Sequence, residues 1–339
     1  MKIESALKPY NTFGIDAKAD KIIVIEDDRD IARLFPLQKP YYILGGGSNV
    51  VFDGDYHGTV VVMRNKGIRL IAMEQSSFTT ALDTVLVEAQ AGEIWDDFVK
   101  YCIAHGWHGT ENLVAIPGTV GAAPVQNVGA YGLEAKDLVE EVRAIEISTG
   151  EKQSFRNDEC HFAYRNSIFK QELSGRYLIT SVVFRLSTKF SANTNYVAVA
   201  NALAERNLAL PSAQQLADII ADIRWAKLPR PEDVGSAGSF FKNPIVTNSV
   251  YETLRKRHPG IVAHAAGDGF HKLAAGWLIE HAGWKGRSLG PAAVWNKQAL
   301  VLVNNGGATG RDILRLADAI TADVKDKFGV TLEKEAIIL

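Results

Sequence analysis

The chain has 339 residues, of which 47 % are hydrophobic and 22 % charged, and its formal net charge is -2. That length exceeds one ordinary core, so two or three domains are expected. The near-neutral balance, free of long single-sign blocks, excludes a surface built to grip a nucleic-acid backbone, and no window of about 18 uninterrupted apolar residues marks a membrane span. From the N-terminus, Met1-Lys2-Ile3-Glu4-Ser5 lacks the apolar core of a signal peptide. The β-branched run Lys21–Glu26 predicts a strand, Tyr41–Leu44 a strand that breaks into three glycines, and Thr59–Met63 another strand. Val85–Gln90 reads as a strand. Ile94–His105 reads as a helix, because Ile94, Trp95, Phe98, Val99, Cys102 and Ile103 recur at three- and four-residue spacing. Cys102 and Cys160 are the only cysteines, with no Cys-x-x-Cys, which fits a reducing cytosol. Val142–Ser148 and Tyr177–Leu186 are further strands, and Ser187–Asn207 is a loop with a helical part. Lys227-Leu228-Pro229-Arg230-Pro231 is a stiff boundary. Beyond it, Leu273–Glu280 predicts a helix, Ala299–Asn304 a buried strand, and 311–328 the clearest helix. Thr309 and Asp312 cap that helix, Ile313, Leu316, Ala317, Ile320 and Val324 form its inner face, and Gly329 stops it. Thr331–Ala336 predicts a last strand.

Two glycine loops carry the first chemical signal. In Ile43-Leu44-Gly45-Gly46-Gly47-Ser48-Asn49-Val50 a strand runs into a glycine turn and a further strand. Glycines let backbone amides approach a pyrophosphate closely, and Ser48 and Asn49 add donors. It is neither a P-loop, lacking Gly-Lys-Ser/Thr, nor a Rossmann fingerprint, lacking the third spaced glycine. Taken alone, it serves equally well as a tight structural turn. The second loop runs from Ile116 to Gly132, with Gly118, Gly121, Gly129 and Gly132 at irregular spacing among small and apolar residues. That composition suits a backbone pressed along a flat, extended ligand. Together the loops predict a dinucleotide held outside a Rossmann crevice, with FAD foremost.

The third signal is Gly238-Ser239-Phe240-Phe241-Lys242-Asn243-Pro244. Asn-Pro marks a turn, and a hydroxyl held on such a bend can hand a proton to a bound ligand. The two glycine loops, Leu7-Lys8-Pro9-Tyr10-Asn11-Thr12-Phe13-Gly14, Tyr164-Arg165-Asn166-Ser167-Ile168-Phe169, Lys227-Leu228-Pro229, Gly238–Pro244, Lys272–Ile279 and Leu332–Glu335 fall in one order along nearly the whole chain. In that order the chain resembles the UDP-N-acetylenolpyruvoylglucosamine reductase family, flavoenzymes that complete UDP-N-acetylmuramate for bacterial cell walls.

The resemblance implies an α+β fold of the vanillyl-alcohol-oxidase type. Two α+β subdomains, 1–63 (joined by a C-terminal strand in 330–339) and 64–228, hold non-covalent FAD, and a third α+β domain, 229–329, binds the UDP-sugar. It implies ping-pong chemistry, in which NADPH reduces FAD, NADP leaves, and the enolpyruvyl sugar accepts hydride at its methylene carbon and a proton at the neighbouring carbon. Hydride attack on an enol ether conjugated to a carboxylate loads that carboxylate with negative charge, which a cation and a hydrogen-bond donor must meet. By resemblance Arg165 is the cation, Glu335 the donor (which must then carry its proton) and Ser239 the proton donor to carbon. A serine hydroxyl is a poor acid and needs a positive neighbour; Lys227 and Lys242 both qualify. The family's cofactor positions fall on Gly45, Gly46, Gly47, Ser48, Asn49, Ile116, Pro117, Gly118, Thr119, Gly121, Ala122, Gln126, Asn127, Gly129, Ala130 and Tyr131. Its substrate positions fall on Tyr164, Tyr196, Lys227, Asn243, Lys285 and Gln298. Lysine ammonium groups suit a diphosphate as point charges, and Tyr196 in its long loop implies closure over that diphosphate.

The chain departs from the family in places. The usual Leu-Glu-Pro-Glu-Val is Leu332-Glu333-Lys334-Glu335-Ala336, and Ile337 replaces an arginine often found there, so Glu333 remains the alternative carboxyl. Tyr196 is followed by Val197-Ala198-Val199 instead of a glycine and then a leucine. Without the resemblance, Arg165 would be a surface ion-pair partner, Glu335 a solvated charge, Lys227 a helix-end lysine and Trp277 a core residue; the last reading is kept. His105 and His108 lack a third ligand, and no metal is assigned. A second function is another FAD oxidase or dehydrogenase of the same fold, with covalent flavin as one form, although Ser239 and the lysines have no obvious use in alcohol oxidation. A third is a non-catalytic UDP-sugar binder without flavin. The expected protein is a cytoplasmic monomer with no nucleic-acid partner and no membrane insertion.

Overall fold

The β-branched and alternating runs fold as strands close to where the sequence puts them. The run at Lys21–Glu26 is the strand Lys18–Ile25, Tyr41–Leu44 keeps its bounds, and Thr59–Met63 extends to Tyr56–Met63. Helices and strands mix throughout, an α+β chain. The computed structural model describes residues 2–75 and 82–339, so residues 76–81 of the expected block 64–228 lie outside it, as does Met1. The described chain forms two compact units: Met1–Ser5, Ala19–Gly46 and His57–Arg224 make the larger, and Ala6–Lys18, Gly47–Tyr56 and Trp225–Leu339 the smaller.

In the larger unit, one sheet has the spatial order Lys2–Ala6, Lys18–Ile25, Tyr56–Met63, Tyr41–Leu44. Its last two strands run parallel, with Tyr41 opposite Thr59. The second sheet is antiparallel, in the order Lys152–Arg156, Val139–Glu146, Tyr177–Ser187, Leu82–Gln90, Ile68–Gln75. The predicted amphipathic helix forms as Trp95–Ala104, burying Trp95, Phe98, Val99 and Cys102. It docks on the second sheet through Phe98, whose ring lies 4.6 Å from that of Phe184, with Trp95 5.9 Å from the same ring. Each such aromatic contributes about 1.5–3 kcal/mol by leaving water. This docking positions the second glycine loop, because Trp95 Nε1 donates to Leu113 O at 2.8 Å and Trp95 N to Gly118 O at 3.1 Å.

In the smaller unit, an antiparallel sheet has the order Gly235–Ser239, Val301–Asn304, Ala292–Val294, Ser288–Leu289. A second antiparallel sheet comprises Ile245–Thr247, Phe270–Leu273 and Ala263–Ala265. The clearest predicted helix is Gly310–Phe328, with a complete Thr309/Asp312 capping box and Gly329 at φ 69° as its stop. The helix expected at Leu273–Glu280 forms as Ala275–His281, since Leu273 stays in a strand and Asn243 Oδ1 accepts from Ala275 N at 2.9 Å. The strand expected at Thr331–Ala336 is a correction: only Lys334 of that stretch makes a bridge, to Phe241. The strand is instead Ile337–Ile338, parallel to Val50–Val51, where two β-branched residues pair with two others. Trp277 is half-buried, stacks on His281 at 3.7 Å and lies 5.8 Å from the Phe328 ring. No helix among the described residues is long and apolar enough to cross a membrane.

Candidate active site

Within the larger unit the two glycine loops touch. A Cβ at Gly46 would lie 2.8 Å from Gly118 Cα, and one at Gly45 would lie 2.6 Å from Thr119 Oγ1. Only hydrogen side chains permit that approach. Thr119 is 3 % exposed, and its Oγ1 has no hydrogen-bond partner among the described residues. A buried hydroxyl left unspent beside two bare backbones fits a ligand rich in phosphate oxygens, so these residues fit the diphosphate of FAD. The loop beyond is fixed by Val120 N donating to Glu93 O and Gly121 N to Ala91 O, both at 2.9 Å.

The loop ends in a two-residue hairpin. Gly129–Ala130 pairs with Leu133–Glu134, and the turn residues Tyr131 and Gly132 have φ 48° and 80°. A turn with both φ values positive favours Asn-Gly, so tyrosine here carries strain that aims its ring. That ring meets Tyr196 edge-on at 5.2 Å, and the guanidinium of Arg224 lies 6.0 Å from its centroid. Burial raises the Tyr131 phenol above its ordinary pKa, against the pull of Arg224. Burial also pulls the Arg224 guanidinium below its ordinary value, with Tyr131 opposing and the like charge of Arg165 adding to the fall. Arg224 Nε donates to Ala115 O at 3.2 Å. Tyr196 is half-exposed and caps the helix Val197–Glu205, so Val197–Val199 form its first turn.

Arg165 sits in a tight turn. Ala163 and Asn166 exchange N–H···O bonds of 3.0 Å each way, and Arg165 between them has φ 54°. A non-glycine residue at positive φ costs about 1–3 kcal/mol, which the surrounding contacts must offset. Its guanidinium donates to Gly129 O at 3.1 Å and lies 5.7 Å from the Tyr164 ring centroid. The larger unit therefore gathers Gly45, Gly46, the 116–131 loop, Tyr164, Arg165 and Tyr196. It adds Arg224, which the sequence reading did not assign.

The smaller unit carries Ser239, Glu335, Lys227, Asn243, Lys285 and Gln298. Ser239 ends the strand Gly235–Ser239, opposite Val301, after a register irregularity and Gly238 at φ 65°. The chain continues beside the C-terminal segment: Glu335 N donates to Phe240 O at 2.8 Å and Lys242 N to Glu333 O at 2.9 Å. Asn49 Nδ2 donates to Glu335 O at 3.3 Å, and Ile337 N donates to Asn49 O at 3.0 Å. Asn49 at the end of the first glycine loop, Phe240 after Ser239, and Glu335 are thus tied by a side-chain bond and backbone bonds. Gly47, at φ 64°, accepts at its carbonyl from Thr12 N at 3.1 Å. The Glu333 side chain is 71 % exposed and ion-pairs with the Lys242 ammonium, whose side chain is 22 % exposed. Leu300 joins Gln298 to this strand: its N–H donates to Gln298 Oε1 at 3.3 Å and its carbonyl accepts from Phe240 N at 2.8 Å. Lys285 ion-pairs with Glu280 at 2.9 Å, and the Lys227 carbonyl accepts from Trp295 Nε1 at 3.0 Å. Asn243 Oδ1 accepts from Ala275 N at 2.9 Å. His108 has an acidic partner, Glu111, at 2.9 Å; no cluster of three metal-ligating groups occurs among the described residues.

Residues 24–155 match the family model of an FAD binding domain, and 230–339 that of the UDP-N-acetylenolpyruvoylglucosamine reductase C-terminal domain. A UDP-N-acetylenolpyruvoylglucosamine reductase from Azoarcus sp. (strain BH72) is 45 % identical over 340 residues, covering 99 % of this chain and 97 % of that protein. One from Neisseria meningitidis serogroup A is 47 % identical over 340 residues, covering 99 % and 96 %. The crystal structure of the reductase from Thermus caldophilus matches the fold with a TM-score of 0.65 at 24 % identity, over 100 % of this chain and 99 % of that one.

Proposed function

The chain belongs to the UDP-N-acetylenolpyruvoylglucosamine reductase family, and from that premise we propose that it reduces UDP-N-acetylglucosamine enolpyruvate to UDP-N-acetylmuramate with NADPH. It is an FAD-containing oxidoreductase of peptidoglycan precursor synthesis. One observation carries the residue-level reading: Glu335 is bonded both to Asn49 of the first glycine loop and to Phe240, the neighbour of Ser239.

When bound, FAD would supply two-electron redox chemistry, the hydride of NADPH ending on the methylene carbon of the enolpyruvyl group. Gly45–Asn49 and the 116–131 loop would hold its diphosphate with backbone amides and the Thr119 hydroxyl. Arg165 faces the substrate carboxylate and neutralises the charge that grows there, with Arg224 adding to the positive field. Glu335, carrying its proton, donates a hydrogen bond to the same carboxylate. Ser239 gives its proton to the carbon next to the carboxylate and is reprotonated from solvent. The C=C bond is reduced to a lactyl ether, and NADPH becomes NADP. Lys227, Lys285, Asn243 and Gln298 hold the UDP-sugar with Tyr164 and Tyr196, and Tyr196 swings over the diphosphate.

We assign FAD to 1–63, together with the C-terminal strand, and 64–228, and the UDP-sugar to 229–329. The protein works in the cytoplasm as a monomer. Anaerobic mixing tests the whole reading: NADPH bleaches the flavin band, and the enolpyruvyl sugar restores it. Bleaching without recolouring by the sugar, or oxygen-dependent turnover of an alcohol, would move the chain to a different oxidoreductase activity.

A further inference from the structure

Asn127 lies in the second glycine loop, fully buried, with φ 44°. Its Nδ2 donates to Glu134 Oε2 at 2.9 Å and to Ala163 O at 3.1 Å, and its Oδ1 accepts from Lys136 N at 3.0 Å. Both amide hydrogens are spent inside the protein, and its own N–H goes to Pro124 O at 3.4 Å. The side chain expected to face the cofactor therefore has no donor left to offer it.

Ala163 is the residue that gives this arrangement a purpose, because it opens the turn that carries Arg165. Three alternate residues of the loop grip that turn. Val125 O accepts from the buried Ser167 Oγ at 2.8 Å, Asn127 Nδ2 holds Ala163 O, and Gly129 O accepts from the Arg165 guanidinium at 3.1 Å. An arginine at φ 54° persists only where its surroundings over-determine it, and these three bonds pin it before, at and after its own position. We propose that Asn127, seconded by Ser167, is a positioning residue for Arg165: its amide locks the turn so that the guanidinium meets the substrate carboxylate at a fixed place. The inference deepens the proposed function and rests on its reading of Arg165 as the carboxylate's cation.

The test uses holoenzyme carrying Asn127→Ala, Ser167→Ala, Arg165→Ala and the Asn127→Ala/Arg165→Ala pair. Misplacing a charge by about 1 Å costs up to ~100-fold, so reoxidation by the enolpyruvyl sugar slows about 10- to 100-fold in Asn127→Ala. In Ser167→Ala, whose site lies outside the cofactor loop, FAD content and the rate of reduction by NADPH stay within about twofold, since neither depends on Arg165 placement; Asn127→Ala is compared at full FAD occupancy. In the Arg165→Ala background the second substitution costs little more, because both act through one group. Hydrogen exchange across residues 163–167 speeds up in Asn127→Ala, as the turn loses an anchor. Full additivity with Arg165→Ala, equal slowing of both half-reactions, or unchanged exchange at 163–167 overturns the proposal. Should Asn127→Ala fail to fold, Ser167→Ala shows the same split with a smaller loss, and a Ser167→Ala enzyme without the split counts against it. If the wild-type enzyme is not reoxidised by the sugar, the proposed reaction is what fails, and exchange at 163–167 decides the positioning claim separately.

Discussion

Gly46→Ala probes the contact on which cofactor binding depends. The added Cβ would sit 2.8 Å from Gly118 Cα, about 0.6 Å inside the 3.4 Å at which ordinary contact begins, and 3.2 Å from Gly118 C. Both groups are backbone, so no side chain can rotate away and the two loops must part. Overpacking of this kind costs about 1–3 kcal/mol. If that cost falls on the conformation that binds FAD, affinity drops roughly 5- to 150-fold. The assay is titration of apoprotein with FAD, followed by flavin fluorescence, beside the melting temperature of the apoprotein. Gly54→Ala is the control, because a Cβ there meets nothing within 4 Å, and its FAD affinity stays at the wild-type value. A Gly46→Ala protein that binds FAD within twofold of wild type and melts unchanged would refute the claim that the two bare backbones set the cradle.

Glu335→Gln retains a hydrogen-bond donor and keeps measurable turnover, whereas Glu335→Ala loses about 100- to 1,000-fold in kcat; steady-state kinetics of both variants, with Glu333→Gln near wild type, separates the two carboxyls. Glu88 is buried, which by itself raises its pKa, but hydrogen bonds from Ser181 and Arg69 and the charges of Arg143 and Arg69 hold it below its ordinary 4.5. Its folded-state pKa is depressed, so its contribution to stability is complete above about pH 4.5 and is lost as pH falls through the lower folded value. Glu88→Gln destabilises by about 1–3 kcal/mol at pH 7 and flattens the acid limb, measured by urea unfolding from pH 7 to pH 3. Thr309→Ala removes the capping box of Gly310–Phe328 and costs about 1 kcal/mol, read from the same unfolding curves at pH 7.

Local signals reached far into the fold. The Gly310–Phe328 helix was legible because cap, apolar period and stop agree, and Tyr41–Leu44 because its aromatic and β-branched residues end against glycine. The helix Ala213–Lys227 escaped, although Ser212 and Gln215 form a reciprocal cap, with Gln215 N on Ser212 Oγ at 3.2 Å and Ser212 N on Gln215 Oε1 at 2.9 Å. That Ser-x-x-Gln signature, with Leu216, Ile219 and Ile220 after it, was readable. Missing the helix meant missing Arg224 in its last turn, whose significance comes only from Tyr131 and Arg165 beside it. The charged stretch before Ile337 drew the last strand a few residues early. The strain at Arg165 has no sequence mark at all, since a positive φ at a non-glycine residue is imposed by contacts of its turn with Asn127 and Val125, which are remote in sequence.

The most direct test of the proton transfer is a pair of half-reactions in Ser239→Ala, followed anaerobically through the flavin band. Reduction by NADPH proceeds within a few-fold of wild type, and reoxidation by the enolpyruvyl sugar falls by about 100-fold or more, the scale of a positioned general acid. Equal slowing of the two halves, or reoxidation at the wild-type rate, would contradict a proton delivered by that hydroxyl.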